Sequence, residues 1–504
     1  MMLWMLILLP LLAAPIAWLA EDRWRQGPRW IAVGALALDL LLACLLPLSS
    51  SAVPSGLWLL EANHPWIPQW GIGLHLGLDG LSLVLVLLTA LLGVVSVVAS
   101  WTEIQSRVGF FHFNLLLVIG GVMGVFLALD LFVFFLFWEV MLVPMYLMIA
   151  LWGHERRRYA SFKFFLFTQA GSLVLLAAII ALALLHWEQT GRASFDLAAL
   201  KTTVLAPQTA WWLMLGFFAG FAVKVPAFPF HPWLPDAHTE APTGGSVILA
   251  GLLLKTGAYG LMRFTLPLFP EAAASFAPVA MALGVTGIIY GGVLAFAQTD
   301  FKRLVAYSSI SHLGFALVGI FAMTELALQG AIFQLVAHGL STGALFMLAG
   351  ALQERLHTRD MGSMGGLWHT TPRLAAFGLF FAVASLGLPG LGNFIGEFLV
   401  LFGTFPTFPW PTVVAASGLV IAALYSLTLV QRAFFGPLHG ERSVPDLSAA
   451  GWSTLLVLAA LQFCLGLYPT PVLSTTDPTA RALMPHAAPM RHAVLPDGSR
   501  TVTP

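Results

Sequence analysis

Apolar runs of about 20 residues recur along the whole chain, and a run of that length crosses the hydrocarbon core of a bilayer as a helix. Fourteen such spans are predicted, at 2–20, 30–48, 80–101, 109–129, 131–151, 160–186, 210–229, 244–265, 273–297, 303–322, 326–353, 374–404, 411–435 and 452–470. Lipid offers the backbone no hydrogen bonds, so only helices or closed barrels survive in it. The expected fold class is an all-α integral membrane protein with about 14 transmembrane helices. Composition agrees: 59% of the 504 residues are hydrophobic and 9% are charged, against about 25% charged in soluble domains. No domain-sized stretch lacks a span, and a net charge of zero encourages no nucleic-acid reading.

Cys44 and Cys464 each stand alone in an apolar run. Iron–sulfur clusters and structural zinc need grouped thiolates, so both cysteines read as small buried hydrophobes. No positive charge precedes the first span, whereas Arg23 and Arg25 follow it. That is the reverse of a secretory signal, and a retained first helix with its N-terminus outside is expected.

The connections carry a strong charge asymmetry. Those after odd-numbered spans hold Arg23, Arg25, Arg29, Arg107, Arg156, Arg157, Arg158, Lys163, Lys302, Arg303, Arg355, Arg359, Arg373, Arg432 and Arg442, fifteen in all. Those after even-numbered spans, before the tail, hold Arg192, Lys201 and Arg263, three in all. Cytoplasmic loops carry the excess of lysine and arginine, so both termini are expected on the outer, periplasmic side. The polar, Pro- and His-containing tail 471–504 is expected to be poorly ordered.

Two spans are interrupted. Span 7 runs into FAVKVPAFPFHPWLPDAH, in which Pro226, Pro229, Pro232 and Pro235 follow Lys224 at every third position. Span 12 contains SLGLPGLGNFIGEF, with Gly387, Pro389, Gly390 and Gly392 at mid-depth. Proline removes an amide donor and clashes with the preceding turn. Broken backbone persists at membrane depth only where protein or water satisfies it. Two breaks five spans apart have opposite orientations, the pattern of two inverted five-helix repeats, spans 4–8 and 9–13. The expected division is 1–101, then repeats at 109–265 and 273–435, a last helix at 452–470 and the tail.

A charge at the bilayer centre costs about 2.5–3.5 kcal/mol on insertion scales, so ionisable residues inside spans need a reason. Six on six spans form a set: Glu139, Lys255, His312 and His338 close to span centres, and Lys224 and Glu397 beside the helix breaks. Burial disfavours the charged form of lysine and glutamate alike, which brings their proton exchange toward the range where histidine already titrates. A chain of proton-transfer groups follows from that set. Helices pack about 8–10 Å apart, so six groups in a row are too widely spaced for direct hops and intervening waters are expected. Gln169, Gln334, Ser308, Ser309, Ser311, Ser341 and Thr342 would order such waters, or else serve as helix–helix hydrogen bonds. The prolines beside Lys224 would free carbonyls, admit water and supply a gate.

Other polar residues read differently. His231, Asp236 and His238 resemble metal ligands but sit on a proline-broken stretch at a membrane boundary, where helix-ending and interfacial hydrogen bonds are expected instead. Asp79 and Asp130 open spans 3 and 5, where a helix N-terminus favours an acid. Asp39 lies mid-span without an evident partner, and a haem between His312 and His338 lacks a second histidine pair.

The stretch KVPAFPFHPWLPDAHTEAPTGGSVILAGLLLKTGAYGLMR at 224–263, with LFVFFLFWEVMLVPMYLMIALWG at 131–153 and TDFKRLVAYSSISHLG at 299–314, resembles the antiporter-like subunits of respiratory complex I. That family is shared with cation/proton antiporter complexes and membrane-bound hydrogenases. The likeness runs from about span 3 to span 13. Within the family the chain resembles the branch that lacks a long lateral-helix extension and carries glutamate rather than lysine in span 12, here Glu397. The resemblance implies proton translocation driven by quinone reduction elsewhere in a complex. It implies that Glu139 pairs with Lys224, that Lys255 relays centrally, that His312 and His338 continue the chain, and that Glu397 is the exit. It also implies no redox centre in this chain, with FMN, iron–sulfur clusters and quinone in partner subunits. The implied partners are antiporter-like membrane subunits on both sides, in a bacterial inner membrane. A sodium/proton antiporter module or a membrane-bound hydrogenase subunit is the alternative.

Reporter fusions after Arg158 and after Arg442 are expected to report cytoplasm, and fusions near Ser55 the outside. A reversed signal at any of the three would refute the 14-span map.

Overall fold

The computed structural model describes residues 1–49, 57–437 and 444–484. Among them, twelve helices are long and apolar enough to cross a membrane. They fall at the expected spans 1–6, 8–11, 13 and 14. The first runs Met2–Ala20, the sixth is lengthened to Arg157–Thr190, and the last is Ala449–Leu467. Spans 7 and 12 are each two half-helices: Pro207–Lys224 with Trp233–Glu240, and Pro372–Ser385 with Gly392–Thr404. The prolines and glycines of those spans account for both breaks.

A further break was not expected. Span 5 is interrupted at Met141, between Leu131–Val140 and Leu142–Trp152. Pro144 has no amide to offer the carbonyl one turn earlier, at residue 140, and Glu139 lies in the turn that ends there.

The spans are layered by burial. In the apolar windows of Thr243–Leu268, Phe301–Phe321 and Glu325–Leu356, 94–100% of the residues are buried, against 28% for Ala449–Leu467. The three most enclosed helices are those that carry Lys255, His312 and His338. Small residues let them approach. A Cβ on Gly339 would stand 3.2 Å from the Gly251 carbonyl and 2.8 Å from Leu88, so these helices cross almost backbone to backbone.

Three expectations are corrected. Arg263, counted as a loop cation, is fully buried and paired with Asp79 at 2.5 Å, next to the Tyr259 hydroxyl at 3.1 Å. A buried arginine is tolerable because that carboxylate neutralises it. Asp79 also caps its helix through the Ser82 amide, as Asp130 does through Phe132 and Val133. The tail is not wholly irregular: Thr470–Leu483 is a helix. It is fastened by Thr479 Oγ1, which accepts from the Gly80 amide, and by Asp477, which accepts from Gln329 Nε2 at 2.6 Å. Residues 485–504, like Arg442 and Ser55, lie outside the described residues. Cys44 and Cys464 are exposed on the surface of the bundle, not buried; a small apolar side chain costs nothing there.

Between spans 2 and 3 the chain forms a β-hairpin, absent from the expected all-α plan. Strands Leu60–Ile67 and Ile72–Leu78 pair antiparallel, with Asn63 opposite His75. Its side chains tie it to two other connections. The Gly73 amide donates to Asp130 Oδ2 at 3.0 Å, and His75 sits between Glu61 Oε1 at 2.7 Å and Asp196. Burial opposes charge on this imidazole, but the hydrogen bonds to Asp196 and Glu61 outweigh it and raise its pKa above the ordinary 6.5. A raised pKa means that the protonated clamp stabilises fully below 6.5 and that its contribution is lost as pH rises through the elevated value. Hydrogen exchange of the hairpin amides is therefore expected to quicken, beyond the intrinsic chemical rate, between acid and alkaline pH. His75→Gln should remove most of that dependence.

Candidate functional site

The breaks are sealed by side chains, which sets the surroundings of the ionisable groups. At the first, the Val223 carbonyl freed by the prolines accepts from the Trp233 indole at 3.0 Å. Protein, not water, satisfies it. At the second, Gln462 from span 14 accepts from the Gly392 amide at 3.1 Å and donates to the Ala337 carbonyl at 2.6 Å. Asn393 beside it donates to Ser341 Oγ at 3.2 Å. Gln462 and Asn393 were missed in the sequence, although a lone amide inside an apolar run is the signal that finds them.

Lys224 ends the first half-helix of span 7 and is 2% exposed. Its Nζ has no hydrogen-bond partner among the described residues and lies 4.7 Å from the Trp138 ring centroid, a cation–π distance. Glu139 is half-buried, and its Oε1 is also without a partner. The pair implied by family resemblance is thus not closed as a contact. Glu139 still acts on Lys224 through space.

Lys255 follows the π-helical turn Leu249–Leu253, a widening that recurs at functional positions. Its Nζ donates to the Ala250 carbonyl in that turn at 2.6 Å and to His338 Nδ1 at 2.7 Å. His338 Nε2 has no partner, and its ring centroid is 5.6 Å from that of His312. His312 in turn meets Glu397 Oε1 through Nδ1 at 2.7 Å, and Ser385 Oγ and the Tyr425 hydroxyl through Nε2, each at 3.0 Å. Gln334 Nε2 donates to the same Glu397 oxygen at 2.9 Å.

Four of the six expected residues are therefore joined in the order Lys255, His338, His312, Glu397. The expectation that direct hops are impossible fails here. Helix axes 8–10 Å apart leave long side chains that meet in the middle, and only the step between the two histidines needs an intervening water. Each group is buried beside its neighbours, an arrangement able to pass protons stepwise.

Of the auxiliary polar residues, Ser308, Ser309 and Ser341 return their hydroxyls to their own helices, while Ser311 bonds across to Ile288. His231, Asp236 and His238 do not converge. Asp236 pairs with Lys163 at 2.7 Å, His231 packs against Phe228 and Tyr290, and His238 stacks on Phe346. Asp236 fits the boundary reading, whereas His231 Nδ1 and both ring nitrogens of His238 are buried without a hydrogen-bond partner among the described residues. Both oxygens of Asp39 are buried without a partner among the described residues.

Residues 128–423 match the family model described as NADH:quinone oxidoreductase/Mrp antiporter, transmembrane. The chain belongs to this family. It is 55% identical over 480 residues to NADH-quinone oxidoreductase subunit M of Pseudomonas aeruginosa, covering 93% of this chain and 94% of that protein. It is 51% identical over 491 residues to the Escherichia coli K12 subunit M, covering 94% and 96%. Among solved structures it superposes on a chain of respiratory complex I from Thermus thermophilus with a TM-score of 0.87 and 35% identity, covering 96% and 99%. A chain of an Mrp complex from Dietzia shares the fold, at TM-score 0.83 and 22% identity, covering 96% and 97%.

Direct contact at one pair and its absence at the other predict unequal coupling among these groups. In double-mutant cycles on coupled turnover, His312→Gln with Glu397→Gln is expected to be strongly non-additive, by about 1–3 kcal/mol. Lys224→Ala with Glu139→Ala should show a smaller coupling. Equal couplings would contradict the geometry.

Proposed function

We propose that this chain is a proton-translocating membrane subunit of an NADH:quinone oxidoreductase, moving protons through the buried chain while quinone is reduced in other subunits. The observation that carries the reading is the run from Lys255 through His338 and His312 to Glu397, buried throughout and linked by contacts of 2.7 Å at both ends. The near full-length likeness to subunit M proteins supports the assignment to the complex. In this reading Glu139 and Lys224 form a pair beside the chain, Lys255 relays centrally, His338 and His312 continue the chain, and Glu397 is the exit. FMN, iron–sulfur clusters and quinone belong to partner subunits, and antiporter-like neighbours flank this one in a bacterial inner membrane. Both termini face the periplasm, and 109–265 and 273–435 act as the two inverted repeats.

A second reading, a subunit of a sodium/proton antiporter or membrane-bound hydrogenase, has support in the breadth of the family model and the shared fold of the Mrp chain. Co-purification separates the two: iron–sulfur and flavin subunits accompany the chain in the first case, multi-subunit antiporter partners in the second.

Glu397 gives the sharpest test. Glu397→Gln keeps size and can still accept from Gln334, but it takes up no proton. Proton pumping and quinone reduction in membranes are expected to fall by roughly tenfold or more while the complex still assembles on a native gel. Glu397→Asp should retain part of the rate, and Glu397→Lys some of it, since a titratable group remains. A Gln variant that assembles and pumps like the wild type would make Glu397 structural.

A further inference from the structure

The proposed chain starts deep in the protein, and its supply of protons is not explained by the six residues. A second group of titratable side chains lies on the side that carries the connections after odd-numbered spans. Glu103, His154, Gly350, Gln353, Glu354 and His357 line a cavity of about 280 Å³ there. Lys302, fully buried, stands behind it: its Nζ donates to the Ala241 carbonyl at 3.1 Å and meets His154 Nε2 at 3.4 Å. Glu103 Oε2 accepts from the amide of Thr243 at 2.8 Å, the first residue of the helix that leads to Lys255. Deeper still is His238, with no hydrogen bond on either ring nitrogen. Its ring stacks on Phe346 at 4.5 Å, and its carbonyl accepts from Ser246 Oγ at 3.2 Å, on the helix that leads to Lys255.

These residues differ from the ion pairs around them. Arg359 bridges Asp300 at 3.1 Å and Glu240 at 3.8 Å, and Glu240 also receives the Arg156 amide at 2.8 Å. Those charges are mutually satisfied. Lys302 faces Glu103, Glu240, Asp300, Arg359 and His154 without a carboxylate in contact, and Glu103 opens on the cavity.

Resting on the proton-translocation reading above, we propose that this cavity is the cytoplasmic mouth of the path and that Glu103, Lys302 and His238 deliver protons from it to Lys255. Each step moves one proton. Starting from a neutral Lys302 amine, the Glu103 O–H breaks as a Lys302 N–H forms, which leaves a carboxylate and an ammonium. Lys302 returns to the neutral amine as its proton passes to His238, and His238 gives that proton to a neutral Lys255, with waters bridging the longer gaps. The emptied Glu103 carboxylate is reprotonated from the cytoplasm. Burial holds the Glu103 carboxyl above the usual carboxylate range, with Lys302 pulling the other way, so a proton-bearing form is accessible. His154 is pushed down to about 3 by burial and by the Lys302 and Arg359 cations. It stays neutral and positions Lys302.

The test uses the assembled complex in inverted membrane vesicles, with NADH-driven proton uptake as the readout. Glu103→Gln still accepts the Thr243 amide, so a purely capping role survives it, but it carries no proton. Pumping is expected to fall about tenfold or more, with partial recovery in Glu103→Asp, assembly being checked on a native gel. In a background with Cys44→Ala and Cys464→Ala, Gln353→Cys should be inactivated by a charged, membrane-impermeant thiol reagent from the cytoplasmic face only. Wild-type pumping by Glu103→Gln, or inactivation of Gln353→Cys from the periplasmic face only, overturns the mouth. If Glu397→Gln still loses pumping in the same vesicles, the central chain stands and only the entry lies elsewhere. If neither variant loses it, the translocation reading falls as well.

Discussion

Hydrocarbon solvates no charge, so each ionisable side chain that enters the bilayer must find its partner inside the protein. The architecture follows from that constraint. Lys255, His338, His312 and Glu397 come from four different spans, three of them the most enclosed of the bundle, and Glu397 reaches His312 from the inner face of the fourth. The close crossing at Gly251 and Gly339 brings Lys255 to His338. Outer helices then screen this core from lipid and present their own apolar faces to it.

The two breaks show how irregular backbone is satisfied inside such a core. A proline-broken helix leaves carbonyls and amides that cost several kcal/mol if unmet in an apolar medium. The Trp233 indole and the Gln462 amide take up those groups at spans 7 and 12. Lys224 and Glu397 can therefore stand next to irregular backbone without opening it to bulk water. The two breaks differ in consequence. Glu397 is held by His312 and Gln334, whereas Lys224 has only an aromatic face and a distant carboxylate.

Contact also divides the ion pairs by role. Arg263 with Asp79 and Arg359 with Asp300 are closed pairs near the two membrane faces, where they fasten helix ends. The central groups are instead linked through histidine or left open. A closed carboxylate–guanidinium pair holds its proton state, and an imidazole between two neighbours exchanges one.

Much of this was legible in the sequence for a physical reason: span length and loop charge are set by the bilayer, a constraint external to the fold. The run lengths predicted twelve intact spans and two broken ones close to where helices occur. The cost of burying charge singled out the six titratable residues, and quoted motifs identified the family. Local signals were misread where a partner distant in sequence decides the outcome. Arg263 looked like a loop cation because nothing near it announces Asp79, 184 residues away. The helix Thr470–Leu483 looked like a polar tail because its support comes from spans 3 and 11. The hairpin at 60–78 depends on Asp130 and Asp196, and the order Lys255, His338, His312, Glu397 reverses the two histidines relative to the chain. By itself, then, the sequence determined which groups must be buried and where the apolar runs long enough to cross a membrane lie, because both are costs counted along the chain. Which groups touch was decided only by the tertiary structure, because a contact depends on helix crossing, and crossing is settled by packing between residues far apart in sequence.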